Sequence, residues 1–361
     1  VKVKKGSCFN CPIVCKRETQ LIDGDGNVIE SGEGPEFESV TLMGANLSIY
    51  DLNVITKANY LANHYGLDTI TLGSTIAALC ELNQLVLSKD PANLTEKEKL
   101  FVEDKASFVE AHGEPGFGKP EMLIPLVHLI GNQEQLGKHM AQGSFRFCER
   151  YGHTEFSMTV KKLELPAYDP RTSFSQALCY EMNNRGGCHL EGGYVAPHAY
   201  CAGYSEWPGD RVEGTALVAK NATLKNVTLD VIGVCTYGSF SLGLDEYAAL
   251  ISAITGSHYN SEILKTLALR TINLERLFNV LCGLTTENDW LPERFYNETI
   301  VAKGKTVKCD HDVFENLHKQ YYRSVGWDDN GIPETDTLQN LEILTALAGL
   351  NERLTPTESA V

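Results

Sequence analysis

Ser7-Cys8-Phe9-Asn10-Cys11-Pro12-Ile13-Val14-Cys15 is the stretch around which the chain is organised, because it holds three cysteines in the spacing C-x2-C-x3-C. A loop of this length can direct three thiolates at one point, where a tetrahedral metal or a cubane cluster needs a fourth ligand. Pro12 removes a backbone N–H and stiffens the loop. The dense triplet favours an iron–sulfur cluster. A four-cysteine zinc site, which more often has two C-x2-C pairs, stays the alternative.

The composition is that of a globular chain with an acidic surface. Hydrophobic residues make up 43% and charged residues 22% of the 361 residues, and the net charge of −16 argues against nucleic acid or an anionic membrane as a partner. No apolar run is expected to reach the length of a membrane span, and no signal peptide is recognised. The odd number of cysteines argues against a disulfide framework. We therefore expect a protein of the reducing cytoplasm.

Helical periodicity dominates, without the strand–helix alternation of a parallel sheet. The sequence therefore predicts a mainly α-helical fold in two domains, residues 1–150 and 151–361, which meet near residues 142–160. Residues 16–33 are polar and Gly-rich, with a turn predicted at Asp23-Gly24-Asp25-Gly26, and residues 163–171 are expected to be extended. Helices are predicted over residues 51–65, 74–87, 95–112, 119–131, 133–150, 245–255, 261–281 and 335–349.

Two short motifs carry candidate catalytic side chains. Glu38 ends the Gly/Pro loop G-P-E-F-E (residues 34–38) and precedes an apolar stretch that can draw it inward. His189 ends N-N-R-G-G-C-H (residues 183–189), although a single loop histidine is more often structural than catalytic. The seven cysteines outside the triplet and Cys235 are expected to be buried small hydrophobes.

Two further segments share the frame D/N-x-x-G-L/V-D/C, each at a predicted helix end. The first contains Asn63, Gly66, Leu67 and Asp68, and the second contains Asp230, Gly233, Val234 and Cys235. Glycine lets a ligand approach the backbone closely, and acidic side chains accept paired N–H donors from a flat heterocycle. Either segment alone would be an ordinary helix C-cap, but two copies favour a shared binding role.

The combination of these motifs resembles the tungsten-dependent aldehyde:ferredoxin oxidoreductase family through nearly the whole chain. The resemblance implies that Cys8, Cys11, Cys15 and Cys235 bind one [4Fe–4S] cluster. It also implies that the two frames hold a bis-pterin tungsten (or molybdenum) cofactor, with a magnesium ion as a further component that can bridge the pterin phosphates. Glu38 and His189 would be the active-site residues.

The activity implied by this resemblance is the oxidation of an aldehyde to a carboxylic acid with water, releasing two electrons and two protons. Glu38 would act as the base, and His189 would hydrogen-bond or protonate the oxygen that develops negative charge. The electrons would leave through the cluster to ferredoxin or an electron-transfer subunit. A homo-oligomer is compatible with these expectations.

Departures from the family pattern leave two other functions open. Asn63 replaces a usual Asp, Val234 a Leu and Phe37 a frequent Tyr, and residues 172–182 bear little likeness to well-known members. The N-terminal β-rich domain that covers one side of the cofactor has no counterpart here, so the chain alone is expected to be incomplete. The alternatives are a subunit like the tungsten-dependent aromatic acyl-CoA reductases, or an inactive helical fragment that folds without cofactor.

Overall fold

A computed structural model of the chain describes residues 1–192, 209–302 and 304–347. The chain forms two compact units. Unit 1 comprises residues 1–169 and 292–294, and unit 2 comprises residues 170–291 and 295–361. The boundary thus falls at residue 169, not at 150. Residues 151–169 belong to unit 1 because Glu164 accepts hydrogen bonds from Ser144 and Thr71 of that unit.

Unit 1 opens with a three-stranded antiparallel sheet in the order β1-β2-β3, comprising β1 (Lys2–Gly6), β2 (Lys16–Ile22) and β3 (Val28–Glu33). The cysteine triplet forms the connection between β1 and β2. Asp23 closes the β2–β3 turn by accepting hydrogen bonds from the amides of Asp25 and Asn27. The turn predicted at residues 23–26 is therefore confirmed, but the strands β2 and β3 on either side of it were not predicted.

Seven helices and a short hairpin follow in the described part of unit 1. A core of aliphatic and aromatic side chains lies between the helices, with Phe101, Phe147 and Tyr151 fully buried. The elements are α1 (Phe37–Met43), α2 (Leu52–Tyr65), α3 (Thr69–Ser88), α4 (Glu96–His112), α5 (Leu123–Asn132), α6 (Gly137–Met140), α7 (Ser144–Tyr151), β4 (Thr159–Val160) and β5 (Leu163–Glu164).

The helix α3 is the centre of this unit and fixes the position of α1. A Cβ atom on Gly73 would lie 2.6 Å from the backbone of Leu42, so only glycine allows the two helices to approach this closely. α3 is long and apolar enough to cross a membrane, which corrects the expectation that no such run exists. Its most apolar 18-residue window is 56% buried inside the unit, as is usual for a core helix.

Unit 2 is built around α8 (Phe174–Met182), whose residues are all buried. Its other described elements are α9 (Thr215–Ile232), α10 (Leu244–Thr255), α11 (Ser261–Leu281), α12 (Arg294–Asn297, which begins at the end of the unit 1 segment), β6 (Ile300–Ala302), β7 (Lys305–Val307), α13 (His311–Val325) and α14 (Thr335–Asn340). One network of buried polar groups is centred on Glu181. The carboxylate of Glu181 accepts from the amide of Leu291 at 3.1 Å and lies 2.8 Å from Nε2 of His318.

The mainly α-helical prediction is confirmed, and every strand pair in the described residues is antiparallel. Helix boundaries differ in several places, among them the start of α5, which is Leu123 and not residue 119. α3 begins at residue 69 because Asp68 caps it through the amide of Thr71. The predicted helix over residues 133–150 is divided into α6 and α7 at Gly143, whose φ is +84°. α14 ends at Asn340, and residues beyond 347 lie outside the described residues.

Candidate functional site

The cysteine loop lies at one end of the N-terminal sheet. Cys8 is exposed, and Cys11 and Cys15 are partly exposed. The Cys11 amide donates to the carbonyl of Cys8 at 3.1 Å, and Val14 has a left-handed φ of +54°, so the loop is a chain of tight turns. No group of three or more candidate metal ligands is preassembled among the described residues.

The donor set of this loop nevertheless suits a thiolate-ligated cluster. The pKa of Lys16 is raised mainly by its hydrogen bond and ion pair with Glu33, and further by the negative charge of Cys8 and Cys15 in their thiolate form. The first and last cysteines of the triplet thus both lie within electrostatic range of one ammonium group. Because metal binding orders such loops, the ligands need not converge before the metal is bound.

Glu38 lies in the first turn of α1 and is half-buried. Its Oε2 accepts a hydrogen bond of 2.7 Å from the amide of Ala167. Burial raises the pKa of the Glu38 carboxyl, the Ala167 amide opposes that shift, and the negative charge of Asp68 adds to it. Asp68 belongs to the first D/N-x-x-G frame, so unit 1 places the predicted base within electrostatic range of one predicted cofactor frame.

The side chain of Glu164 supports this arrangement, although no sequence motif predicted a role for it. It is buried and accepts from the Ser144 amide at 2.7 Å, the Ser144 hydroxyl at 2.8 Å and the Thr71 hydroxyl at 2.9 Å. Thr71 lies in the first turn of α3, three residues after Asp68, whose side chain accepts a hydrogen bond from the Thr71 amide. Glu164 therefore connects the start of α3 to the segment whose Ala167 amide contacts Glu38.

The two frames adopt the same helix-ending turn, as their shared pattern predicted. Gly66 has φ +69° and ψ 35°, and Gly233 has φ +72° and ψ 36°. In each case the residue after the glycine donates its amide back to the helix at 2.9 Å, from Leu67 to Ala62 and from Val234 to Leu229. Both turns are Schellman-type C-caps.

The exposed sides of these turns leave room for a ligand. A Cβ atom built on Gly66 or Gly233 would meet nothing within 4 Å. Asn63, Asp68 and Asp230 are exposed, whereas the Leu67 and Val234 side chains pack against the hydrophobic cores of their units. An open glycine flanked by polar side chains suits a flat heterocycle with N–H donors, so the residues fit a pterin at each turn.

The loop that ends at His189 is held by its two asparagines. Asn183 accepts from the amide of Arg185 at 2.8 Å and donates to the carbonyl of Cys188 at 3.0 Å. Asn184 donates to the carbonyl of Ile272 on α11 at 2.9 Å. His189 is buried, and burial lowers its pKa to about 4. The imidazole is therefore neutral near neutral pH.

Arg185 is a functional candidate that was not predicted from the sequence. Its guanidinium lies 3.6 Å from Oδ2 of Asp230 in the second frame and 3.9 Å from Oε2 of Glu191. The pKa of Glu191 is raised to about 7 by burial and by the charge of Glu275, against the opposing charge of Arg185. Arg185 thus links the His189 loop to the second frame, and its place in N-N-R-G-G-C-H was the available signal.

The remaining cysteines are only partly as expected. Cys80, Cys148, Cys179 and Cys309 are buried, and burial raises the pKa of Cys80 and Cys148 to about 12. Cys282 is exposed and Cys188 is partly exposed, so the expectation that all seven are buried was wrong for these two. Cys201 lies outside the described residues.

The structure thus brings Glu38 and the first frame together in unit 1, and the His189 loop and the second frame together in unit 2. The convergence of Cys235 with the N-terminal triplet, and of Glu38 with His189, joins residues of different units and stays a prediction.

A protein-family match identifies the class of protein to which this fold and these residues belong. The profile of the family described as aldehyde ferredoxin oxidoreductase, domains 2 and 3, matches residues 1–343. The chain belongs to this family.

Individual relatives agree with that assignment. The tungsten-containing aldehyde ferredoxin oxidoreductase of Pyrococcus furiosus is 35% identical over 347 residues, which are 94% of this chain and 53% of the relative. That of Thermococcus kodakarensis is 35% identical over 335 residues, 91% of this chain and 51% of the relative. The chain therefore spans about half the length of these relatives.

A solved structure shows the same fold. The active site complex BamBC of benzoyl coenzyme A reductase, in complex with 1,5-dienoyl-CoA, matches with a TM-score of 0.72 at 19% identity, over 98% of this chain and 55% of that chain. At this identity the match supports the fold alone.

Proposed function

We propose that the protein containing this chain oxidises an aldehyde to a carboxylic acid with water, at a bis-pterin tungsten or molybdenum centre. The observation that carries the proposal is the half-buried Glu38, whose pKa is raised and which lies within electrostatic range of Asp68 in a turn suited to a pterin. A proton acceptor and a cofactor frame in one unit are what this reaction requires of the polypeptide.

Glu38 takes a proton from the water that adds to the aldehyde. A carboxylate in a partly desolvated position has a raised pKa and is a stronger base near neutral pH than one in water. The hydrogen bond from Ala167 holds Oε2 and fixes the orientation of the carboxylate. General-base catalysis of this kind contributes roughly 10²–10⁴-fold to a rate.

His189 stabilises negative charge as a hydrogen-bond donor. The sequence left open whether it donates a hydrogen bond or a proton. With a pKa of about 4, the imidazole of His189 is neutral at neutral pH, so it has one N–H donor and lacks the acidic second proton of the imidazolium ion. A neutral donor directed at a developing oxyanion lowers the barrier without a proton transfer.

The two frames and the four cysteines supply the binding groups. Asn63, Gly66, Leu67 and Asp68 would hold one pterin, and Asp230, Gly233, Val234 and Cys235 the other. Cys8, Cys11, Cys15 and Cys235 would hold a [4Fe–4S] cluster. When bound, the metallopterin supplies the two-electron acceptor, and the cluster passes single electrons onward.

Release of electrons and closure of the site require partners. We propose that ferredoxin or an electron-transfer subunit accepts the electrons, and that a region equivalent to the other half of the longer relatives covers the open glycine turns. Exclusion of water from these turns would strengthen the electrostatic contribution of Glu38 and His189. The 35% identity to aldehyde oxidoreductases favours aldehyde oxidation over the acyl-CoA reductase alternative, because only a similar fold supports that alternative.

The test is viologen-linked aldehyde oxidation by the longest natural polypeptide that contains this chain, expressed with tungstate or molybdate. Glu38→Gln should lower kcat by roughly 10²-fold or more, because it removes the base. Glu36→Gln is the matched control, since Glu36 is exposed, lies two residues away and makes no cap hydrogen bond. Full activity of Glu38→Gln with a panel of aliphatic and aromatic aldehydes would overturn the assignment.

A further inference from the structure

We propose that the cysteine loop and the adjoining ends of β1 and β2 form the docking surface for a small acidic electron-transfer protein. The inference rests on the proposed function, because it takes the loop to hold the cluster from which electrons leave. Three features of unit 1 lead to it: the distribution of charge, an uncompensated pair of cations and an exposed apolar tip.

The charge of the chain is reversed in its first segment, although Lys4 and Lys16 of that segment are ion-paired with Glu18 and Glu33 of the same sheet. The first 17 residues contain five basic and no acidic residues, whereas the whole chain carries −16. An acidic partner is repelled by most of such a surface, so it is steered toward a local positive region. The basic side chains are Lys2, Lys4, Lys5, Lys16 and Arg17.

Two of these cations face each other across the sheet. Lys5 and Arg17 are directly opposite in the antiparallel register of β1 and β2, and both are exposed. Like charges in this position destabilise a strand pair. Among the residues that the structure describes, neither has a carboxylate within ion-pair distance, although Lys16 has Glu33 at 2.9 Å. A carboxylate of a partner would relieve this repulsion.

Arg17 is held at the base of the cysteine loop. Its Nη1 donates to the carbonyl of Cys15 at 3.0 Å and to that of Lys16 at 2.9 Å. The guanidinium is therefore fixed beside the third cysteine of the triplet. A partner that pairs with it is brought next to the predicted cluster, and electron transfer needs that short separation.

The tip of the loop is apolar. The Phe9 side chain is fully exposed, and Ile13 is 44% exposed. Protein interfaces often combine a buried aromatic residue with a charged rim, in which the aromatic contact gives affinity and the charges give orientation and association rate. Phe9 and Ile13 in the loop, with Lys5 and Arg17 on the strands at its base, form such a combination within the same segment as the cysteine triplet.

The experiment measures binding of the intact holoenzyme to a purified acidic [4Fe–4S] ferredoxin by biolayer interferometry at low and moderate salt. The test variant is Lys5→Glu, which leaves the hydrogen bonds of Arg17 to the cysteine loop in place. The matched control is Lys99→Glu, which makes the same change in net charge on α4 of the same unit. The test variant should raise the Kd about fivefold or more and reduce its salt dependence, and the control should change the Kd less than twofold.

A second set of measurements separates this inference from the proposed function. Viologen-linked aldehyde oxidation should be equal in all forms, because a small dye does not need the docking surface. Loss of dye-linked activity in the unmodified enzyme would refute the proposed function, while the Kd comparison would still test the surface. Equal ferredoxin affinity in the test and control variants would overturn the docking surface. The docking surface would also be overturned if the unmodified enzyme bound phosphatidylglycerol vesicles and not ferredoxin.

Discussion

The buried ion pair between Arg276 and Asp289 gives the sharpest prediction about the stability of unit 2. Both side chains are 0% exposed, and the guanidinium donates to the two carboxylate oxygens at 2.9 and 2.6 Å. Arg276 also donates to the carbonyl of Gly331 at 2.7 Å, and Tyr322 donates to Asp289 at 2.7 Å. The Trp327 ring lies 4.7 Å from the guanidinium carbon.

Removal of either charge alone leaves the other charge buried in the core without a partner. The expected loss in the free energy of unfolding is about 3–5 kcal/mol for a pair of this burial. Asp289→Asn should destabilise more than Arg276→Met, because a stranded carboxylate can take up a proton whereas a guanidinium stays charged. The double variant should recover part of the loss, because it leaves no unpaired charge.

Urea unfolding followed by tryptophan fluorescence reports on this unit, since Trp290 and Trp327 both belong to it. With an m-value of about 2 kcal/mol/M, the midpoint of Asp289→Asn should fall by about 2 M. A matched surface control is Arg323→Met, whose partner Asp329 is exposed and which should change stability by less than about 1 kcal/mol. A loss below 1 kcal/mol for Asp289→Asn, or a double variant as unstable as the sum of the singles, would refute the reasoning.

Two further predictions concern the supports of the candidate site. Glu164→Ala leaves the fully buried Ser144 amide without its acceptor, so hydrogen exchange at the start of α7 should be faster. The expected loss in the free energy of local opening is about 1–3 kcal/mol. Glu155→Ala, which changes an exposed glutamate nearby, should leave this exchange rate unchanged. The pKa of Glu191, raised to about 7 from 4.5, makes a contribution to stability that is fully present below pH 4.5 and is lost as pH rises through 7. The melting temperature should therefore fall less steeply between pH 5 and 8 in Glu191→Gln than in the unmodified protein, and identical slopes would contradict this role.

Local signals in the sequence predicted most helix ends correctly. The Thr95–Glu98 capping box begins α4 beside the predicted start at residue 95, and Gly66 ends α2 in a left-handed conformation directly after the predicted end at residue 65. These features depend on neighbours within four residues. The same is true of the two matched frames, whose identical turns followed from a shared short pattern.

Features that depend on distant residues could not be predicted. The unit boundary at residue 169 follows from hydrogen bonds that join Glu164 to residues 20 and 93 positions away. The link between Arg185 and Asp230 likewise joins two separate motifs. The strands of residues 16–33 were missed because their polar side chains conceal the alternation that marks a half-buried strand, since only Thr19 and Leu21 are buried there.

The central claim is that the N-terminal triplet and Cys235 hold one [4Fe–4S] cluster in a member of the aldehyde ferredoxin oxidoreductase family. The most direct measurement is the iron and sulfide content of the anaerobically purified holoenzyme, with the electron paramagnetic resonance spectrum after reduction, for Cys235→Ala and Cys282→Ala. Both residues are exposed cysteines of unit 2, so they are matched. Cys282→Ala should keep the iron and the spectrum of the unmodified protein, and Cys235→Ala should lose the cluster or convert it to a form with less iron. An unchanged iron content and spectrum in Cys235→Ala would contradict the account.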